Sequence, residues 1–122
     1  MGRMEQAMKL VIEINDEDYI KSFLAIISVG AIESIKEKKI SIHQSENLLF
    51  GPRMIFMLKE NFPDLSDIVH EGTEMENIDR LYPEKIDQYI DEIKLKSLEQ
   101  IRFKDFGEYI NYSFEELQKK NN

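Results

Sequence analysis

The chain of 122 residues carries a formal net charge of −8 at pH 7, has 33% charged residues and contains no cysteine. This length is typical of one domain and is sufficient to bury a core without disulfides. The absence of cysteine excludes disulfides, thiolate zinc sites and a cysteine nucleophile, and an isoelectric point of about 4.8 argues against a nucleic-acid partner.

The first predicted element is a strand at residues 9–14, KLVIEI, which is short and rich in β-branched residues. An extra helical turn stays open as the alternative, since short apolar runs are ambiguous. The predicted partner strand is FGEYINY at residues 106–112, which makes a two-stranded β element from the two ends of the chain. The residues from Ser113 onward fit the start of a last helix, and we expect residues 1–7 and 119–122 to fray.

Residues 16–39 are predicted to form a central helix that is buried on most sides. Asn15 or Asp16 suits the N-cap position, and lysines at the other end complement the helix dipole. Apolar residues recur at three-and-four spacing and spread beyond one face, so we expect residues 23–35 to be almost wholly covered. The uncharged run is about half of the roughly 20 residues that a membrane span needs, so we predict no membrane segment.

The same helix contains small residues that predict a close neighbour. Glycine costs about 1 kcal/mol relative to alanine in a helix interior, so Gly30 requires a reason. Another backbone can approach closely where small side chains lie together, and those of this helix are Ala25, Ser28, Gly30, Ala31 and Ser34.

Short helices are predicted after residue 40, each marked by a capping residue, a glycine or a proline. Ser41 and Gln44 form a capping box. Gly51 suits the left-handed position after a helix, and Pro52 suits the first turn of the next one. Four large apolar residues then either fill the core or form an adaptable partner groove, and we favour the core; they are Met54, Phe56, Met57 and Phe62.

Three more helices complete the prediction. One runs over residues 65–71 and ends at Gly72, and Thr73 caps a shorter one. Pro83 opens the longest late helix, residues 84–103. The chain is therefore predicted to be a single, mainly α domain with its helices packed around the central one.

The order of these segments resembles a family of small bacterial proteins known only as a domain of unknown function. The segments that carry the resemblance are KLVIEI, FLAIISVGAIESI, ISIHQSENLLFGP and IVHEGTEMENIDRLYPEKI, within residues 8–101. HEGTE, at residues 70–74, is its most specific element. The resemblance implies a cytoplasmic protein of a spore-forming type of bacterium, and it supplies no activity, cofactor or catalytic residue. A cytoplasmic location also agrees with an amino-terminal sequence that lacks the layout of a signal peptide.

Acidic residues are concentrated in residues 60–92. Eleven acids face only two bases there, so this third of the chain carries −9 and the remainder sums to +1. Such asymmetry predicts a surface for a basic partner, and the alternative that stays open is a solvated face that only keeps the chain soluble. The residues that we predict to bind it are Asp67, His70, Glu71, Glu74, Glu76 and Asp79.

Catalytic and metal sites are not favoured by the sequence. A zinc-protease helix needs a second histidine four residues after the first, whereas Glu74 follows His70 at that distance and Gly72 lies between them. No GxSxG motif or glycine-rich phosphate loop is present. We therefore predict no catalytic residue, no metal and no cofactor, and we interpret His70 as lying near a helix end.

Three functional hypotheses follow. The first is a non-enzymatic acidic interaction protein of the immunity or inhibitor type, which binds a basic protein. The second is a small enzyme or metal-binding protein that uses His70 and nearby carboxylates. The third is a structural or regulatory homodimer built on the apolar central helix.

Overall fold

Six α-helices and a two-stranded antiparallel ribbon make up the part of the chain that this computed structural model describes, residues 7–102 and 110–117. The elements in chain order are β1 Ala7–Ile14, α1 Glu17–Lys36, α2 Ile42–Leu48, α3 Pro52–Leu58, α4 Pro63–Thr73, α5 Met75–Leu81, a 3-10 turn Pro83–Lys85, α6 Ile86–Glu99 and β2 Ile110–Leu117. The predicted fold class, mainly α with a small β element, is confirmed. None of the described helices combines the length and apolarity that crossing a membrane requires.

Helix α1 starts at the residue that its capping signal predicts. Asp16 Oδ1 accepts hydrogen bonds from the backbone N–H groups of Asp18 and Tyr19, at 2.9 and 3.2 Å. These bonds satisfy two of the amides that a helix start leaves free. After Lys36 the chain turns at Lys38, whose φ of 60° is left-handed.

The expected burial of residues 23–35 is wrong for one side of α1. Ile26 is 41% exposed, Gly30 is exposed with open space around it, and Leu24 is only half-buried. Helix α1 packs mainly against α6, so the side turned away from α6 and the core stays in solvent. The segment is therefore a one-sided helix rather than a surrounded one.

The covered side of α1 is rich in small residues. Four of its six buried residues are small, namely Ser22, Ala25, Ser28 and Ala31; the other two are Tyr19 and Ile32. Ser28 Oγ lies 2.7 Å from Ser97 Oγ in α6, and Ser28 is the donor because the Ser97 hydroxyl donates to the carbonyl oxygen of Ile93. The backbone N–H of Arg102 donates to Ser22 Oγ at 2.7 Å. The predicted small-residue surface is confirmed, although Gly30 lies outside it.

Two ion pairs also join α1 to α6. Lys36 Nζ is 2.7 Å from Asp91 Oδ1, and Lys94 Nζ is 2.7 Å from Glu33 Oε1. Residue numbers rise along one helix as they fall along the other, so the helices are antiparallel. The lysine hydrogen bonds lower the pKa of the Glu33 and Asp91 carboxyls.

The core is formed by side chains from α1, α4, α5 and α6, and it is closed by the residues after α2. Its largest fully buried side chains are Phe50, Ile32, Leu65, Met75, Ile93 and Val69. The Phe50 ring lies against Gly72, where an added Cβ would overlap it. Gly72 is thus required by close approach, and α4 ends at Thr73, two residues after the predicted last residue, with His70 in its last turn as expected. Thr73 does not cap α5; its hydroxyl donates to the carbonyl oxygen of His70.

The other local signals have mixed outcomes. The Ser41–Gln44 capping box is present, and Pro52 begins α3 as predicted. Gly51 is not left-handed: its φ is −118°, and a Cβ there would meet the carbonyl of Glu46. Helix α6 ends earlier than expected, at Glu99, because the next amides bond to carbonyls three residues back in a tighter turn.

The ribbon confirms the strand predicted at residues 9–14, and β2 pairs with it antiparallel, from Ala7↔Leu117 to Ile14↔Ile110. The predicted partner strand, residues 106–112, overlaps the start of β2, and its first four residues lie outside the described part of the chain. The helix expected from Ser113 is wrong for the described residues, because the strand extends to Leu117. Of the residues 1–7 and 119–122 that were expected to fray, Ala7 is the first residue of β1, and the others lie outside the described residues.

Replacing two glycines by alanine is expected to have opposite effects on stability. Gly30→Ala should raise the free energy of unfolding by about 1 kcal/mol, because the helix gains propensity in open space. Gly72→Ala should lower it by about 1–3 kcal/mol, because the methyl group displaces the Phe50 ring. Urea unfolding of both variants tests this, and a Gly72→Ala protein as stable as wild type would contradict the packing described here.

The α1–α6 ion pairs predict a pH dependence. A carboxyl whose pKa is lower in the folded state stabilises the fold above its unfolded pKa, and this contribution is lost as the pH falls through the folded value. Asp91→Asn should therefore lower the melting temperature by a few degrees at most at pH 7. The difference from wild type should shrink below the ordinary Asp value of 3.8. The matched control is Glu92→Gln, since Glu92 has no ion pair among the described residues; a pH-independent Asp91→Asn effect would refute the assignment.

Candidate functional site

The acidic third of the chain stays largely unneutralised in the fold. Lys96 pairs with Glu71 at 2.6 Å, Lys36 pairs with Asp91, and His43 Nδ1 lies 3.2 Å from Glu76 Oε1. The other eight acids of residues 60–92 have no ion pair among the described residues; they are Glu60, Asp64, Asp67, Glu74, Asp79, Glu84, Asp87 and Glu92.

Helices α4 and α6 gather part of this charge in one cleft of about 480 Å³, here called the acidic cleft. Asp64, Asp67 and Glu71 are spaced three and four residues apart, so α4 presents them on one face. The carboxyl-terminal turn of α6 contributes Glu99. The complete lining is Asp64, Asp67, Ile68, His70, Glu71, Lys96, Glu99 and Gln100. Four carboxylates thus share one concave surface with a single ammonium group.

Two hydrogen bonds hold the far end of α4 against α6. Lys96 Nζ donates to Glu71 Oε1, and this bond raises the pKa of Lys96. The Tyr89 hydroxyl donates to the backbone carbonyl of Glu71 at 2.7 Å; burial and then the charge of Glu71 raise the pKa of Tyr89. These contacts fix the position of Glu71 in the cleft.

Gln100 lines the acidic cleft, but its side-chain oxygen is not exposed there. The Oε1 atom is buried and has no hydrogen-bond partner among the described residues. A buried acceptor without a donor costs about 1–3 kcal/mol. What the cleft offers to a partner is therefore its negative charge.

Five of the six predicted partner-binding residues are divided between two clefts. Asp67, His70 and Glu71 line the acidic cleft, whereas Glu76 and Asp79 line a second cleft of about 730 Å³ beside the loop after α1. Its lining includes three cationic residues as well, Lys38, Lys39 and Arg80. Glu74 lines neither of these two clefts, and its carboxylate accepts a hydrogen bond from Asn77.

The second cleft adjoins a group of residues with metal-binding chemistry. His43 and Glu46 of α2 and Glu76 of α5 place one ligand atom each within 4.8 Å of one another. His70, the histidine named in the alternative enzyme or metal-binding hypothesis, belongs to no such group among the described residues. Exposed acidic groups commonly lie this close without an ion, so this geometry by itself assigns no metal.

Sequence reasoning missed Glu99 and Gln100 of the acidic cleft. Both lie outside the acidic third, and only the packing of α6 on α4 brings them to Asp64 and Asp67. The spacing of Asp64, Asp67 and Glu71 was the one signal that could have located the cleft, since it places three carboxylates on one helical face.

The interpretation of the methionines and phenylalanines is wrong for half of the set. Phe56 is 81% exposed and Met57 is 59% exposed, so neither fills the core. Met54 and Phe62 are half-buried and pack against it, as expected. Met57 also lines a small groove with the exposed Leu48 of α2.

Comparison with known proteins gives one match. The family model described as a protein of unknown function (DUF3969) matches residues 15–117, which extends further toward the carboxyl terminus than the resemblance seen in the sequence. No curated protein matches the chain, and no solved structure matches it either.

Proposed function

We propose that this chain, which belongs to the DUF3969 family of proteins of unknown function, is a non-enzymatic binding protein that receives basic side chains of a protein partner in its acidic cleft. The observation that carries the proposal is the convergence of Asp64, Asp67, Glu71 and Glu99 on one cleft. The two helices that form this cleft pack against each other directly.

The chemistry of the cleft favours arginine or lysine as the inserted group. An arginine side chain forms charge-assisted bonds with two carboxylate oxygens at once and carries further N–H donors. Asp64 and Asp67 have no ion pair among the described residues, so a guanidinium group competes with no internal cation there.

A surface of this kind controls association mainly through long-range attraction. Concentrated negative charge accelerates the encounter with a basic partner, and salt weakens the effect because the Debye length is about 8 Å at physiological ionic strength. An immunity or inhibitor protein, which covers the phosphate-binding groove of a nuclease, is the concrete form of the proposal; it rests on analogy. We also propose a bacterial source and a cytoplasmic location, which the family resemblance implies.

The test uses a defined basic probe, an arginine-rich peptide, with binding followed by NMR of the labelled protein at low and high salt. We expect chemical-shift changes around the acidic cleft and weaker binding as salt rises. The cleft variant Asp64→Asn/Asp67→Asn/Glu71→Gln/Glu99→Gln should bind at least tenfold more weakly and keep its helical content by circular dichroism.

The matched control removes the same number of charges outside the cleft, as Glu60→Gln/Glu84→Gln/Asp87→Asn/Glu92→Gln; all four of these side chains are exposed. It should retain most of the affinity. Equal losses in the two variants would mean that net charge, not the cleft, attracts the peptide, and the proposal would fail.

A further inference from the structure

The ribbon of β1 and β2 has one apolar face and one polar face. Directly opposed residues of an antiparallel pair point to the same side, so the register Leu10↔Phe114 and Ile12↔Tyr112 places these four side chains together. The apolar ribbon face consists of Met8, Leu10, Ile12, Ile14, Ile110, Tyr112 and Phe114, with Glu116 at one end. The opposite face carries Lys9 and Glu115, which form an ion pair of 3.6 Å.

The apolar ribbon face is open to solvent. Phe114 is 69% exposed, Met8 and Tyr112 are each 58% exposed, and Leu10 is 52% exposed. Ile12 is exposed as well. At roughly 150–250 Å² for each large side chain, the five exposed side chains leave on the order of 500 Å² of apolar surface in contact with solvent. Continuous patches of this size mark interaction sites, and a two-stranded ribbon without cover is marginally stable in water.

We propose that a second copy of this chain covers the apolar ribbon face, ribbon against ribbon, about a two-fold axis. The face carries a single charged residue, Glu116, opposite Met8 at one end of the register. A charged partner would therefore find nothing to pair with across most of the face, whereas an identical face matches it in size and polarity.

The symmetry of such a contact also avoids like-charge contact. In an isologous pair with the axis perpendicular to the strands, Glu116 of each copy lies over the Ile14 end of the other ribbon, so the two carboxylates stay apart. Two faces of about 500 Å² bury on the order of 1,000 Å², which is near the lower limit for a specific interface. An interface of this size is expected to form a weak dimer that depends on concentration.

Light scattering over a concentration series tests the proposal, with two cross-strand double variants. Leu10→Ser/Phe114→Ser removes apolar area from the face, and Lys9→Ser/Glu115→Ser changes an opposed pair on the other side of the same strands. We expect wild type and Lys9→Ser/Glu115→Ser to dimerise, and Leu10→Ser/Phe114→Ser to stay at 14.5 kDa with its helices intact. A wild type that is 14.5 kDa at all concentrations, or equal dimerisation of all three proteins, would overturn the proposal.

Disulfide cross-linking of single-cysteine variants gives a second readout that does not depend on removing apolar area from the face. The chain contains no cysteine, so each variant carries only the one that is introduced. Ile12 lies near the middle of the apolar ribbon face, close to the proposed axis, and Val11 points to the opposite face. Ile12→Cys should form intermolecular disulfides at least tenfold faster than Val11→Cys at the same concentration. Equal rates would show that the copies do not meet through this face, whatever other molecule covers it.

Discussion

The close approach of α1 and α6 is the constraint on which the rest of the structure depends. Ser28 and Ser97 are both fully buried, and their hydroxyls lie 2.7 Å apart, so no larger side chain fits between the helices at these positions. Ser28 donates to Ser97, and Ser97 donates to the Ile93 carbonyl, so both hydroxyl protons have an acceptor. A buried polar pair of this kind fixes the register of two helices, since sliding by one turn would take the Ser97 acceptor away from the buried Ser28 hydroxyl.

That register determines where the two proposed binding surfaces lie. With α6 held against α1, its other side packs on α4 and carries Lys96, Glu99 and Gln100 to the acidic cleft. The same contact brings the chain after α6 back to the start of α1, where the Arg102 amide bonds Ser22. Strand β1 directly precedes α1, so the two ends of the chain are near each other and can pair as a ribbon.

The sequence predicts those parts of the fold that depend on neighbouring residues. Asp16 and the Ser41–Gln44 box act within three residues of their own positions, and both caps are present. Gly72 has the sequence context of a helix end, but its environment is determined by Phe50, 22 positions earlier, and no local pattern contains that contact. The end of the chain is similar: the residues from Ser113 have a capping pattern, yet pairing with β1 holds them as a strand. The acidic cleft is predictable only in part. The spacing of its carboxylates along α4 is a local pattern, whereas the contribution of Glu99 depends on tertiary packing.

The two proposed surfaces respond to salt in opposite directions, and this follows from the charge of the whole chain. Two copies that each carry −8 repel one another, so added salt weakens the repulsion and favours contact through an apolar face that has few charges of its own. A basic partner is attracted by the same charge, and added salt weakens that attraction. The response to ionic strength therefore distinguishes dimerisation through the apolar ribbon face from binding at the acidic cleft, without any substitution. A chain this acidic can keep a large exposed apolar face without general aggregation, because its copies approach closely only where apolar contact outweighs the repulsion between them.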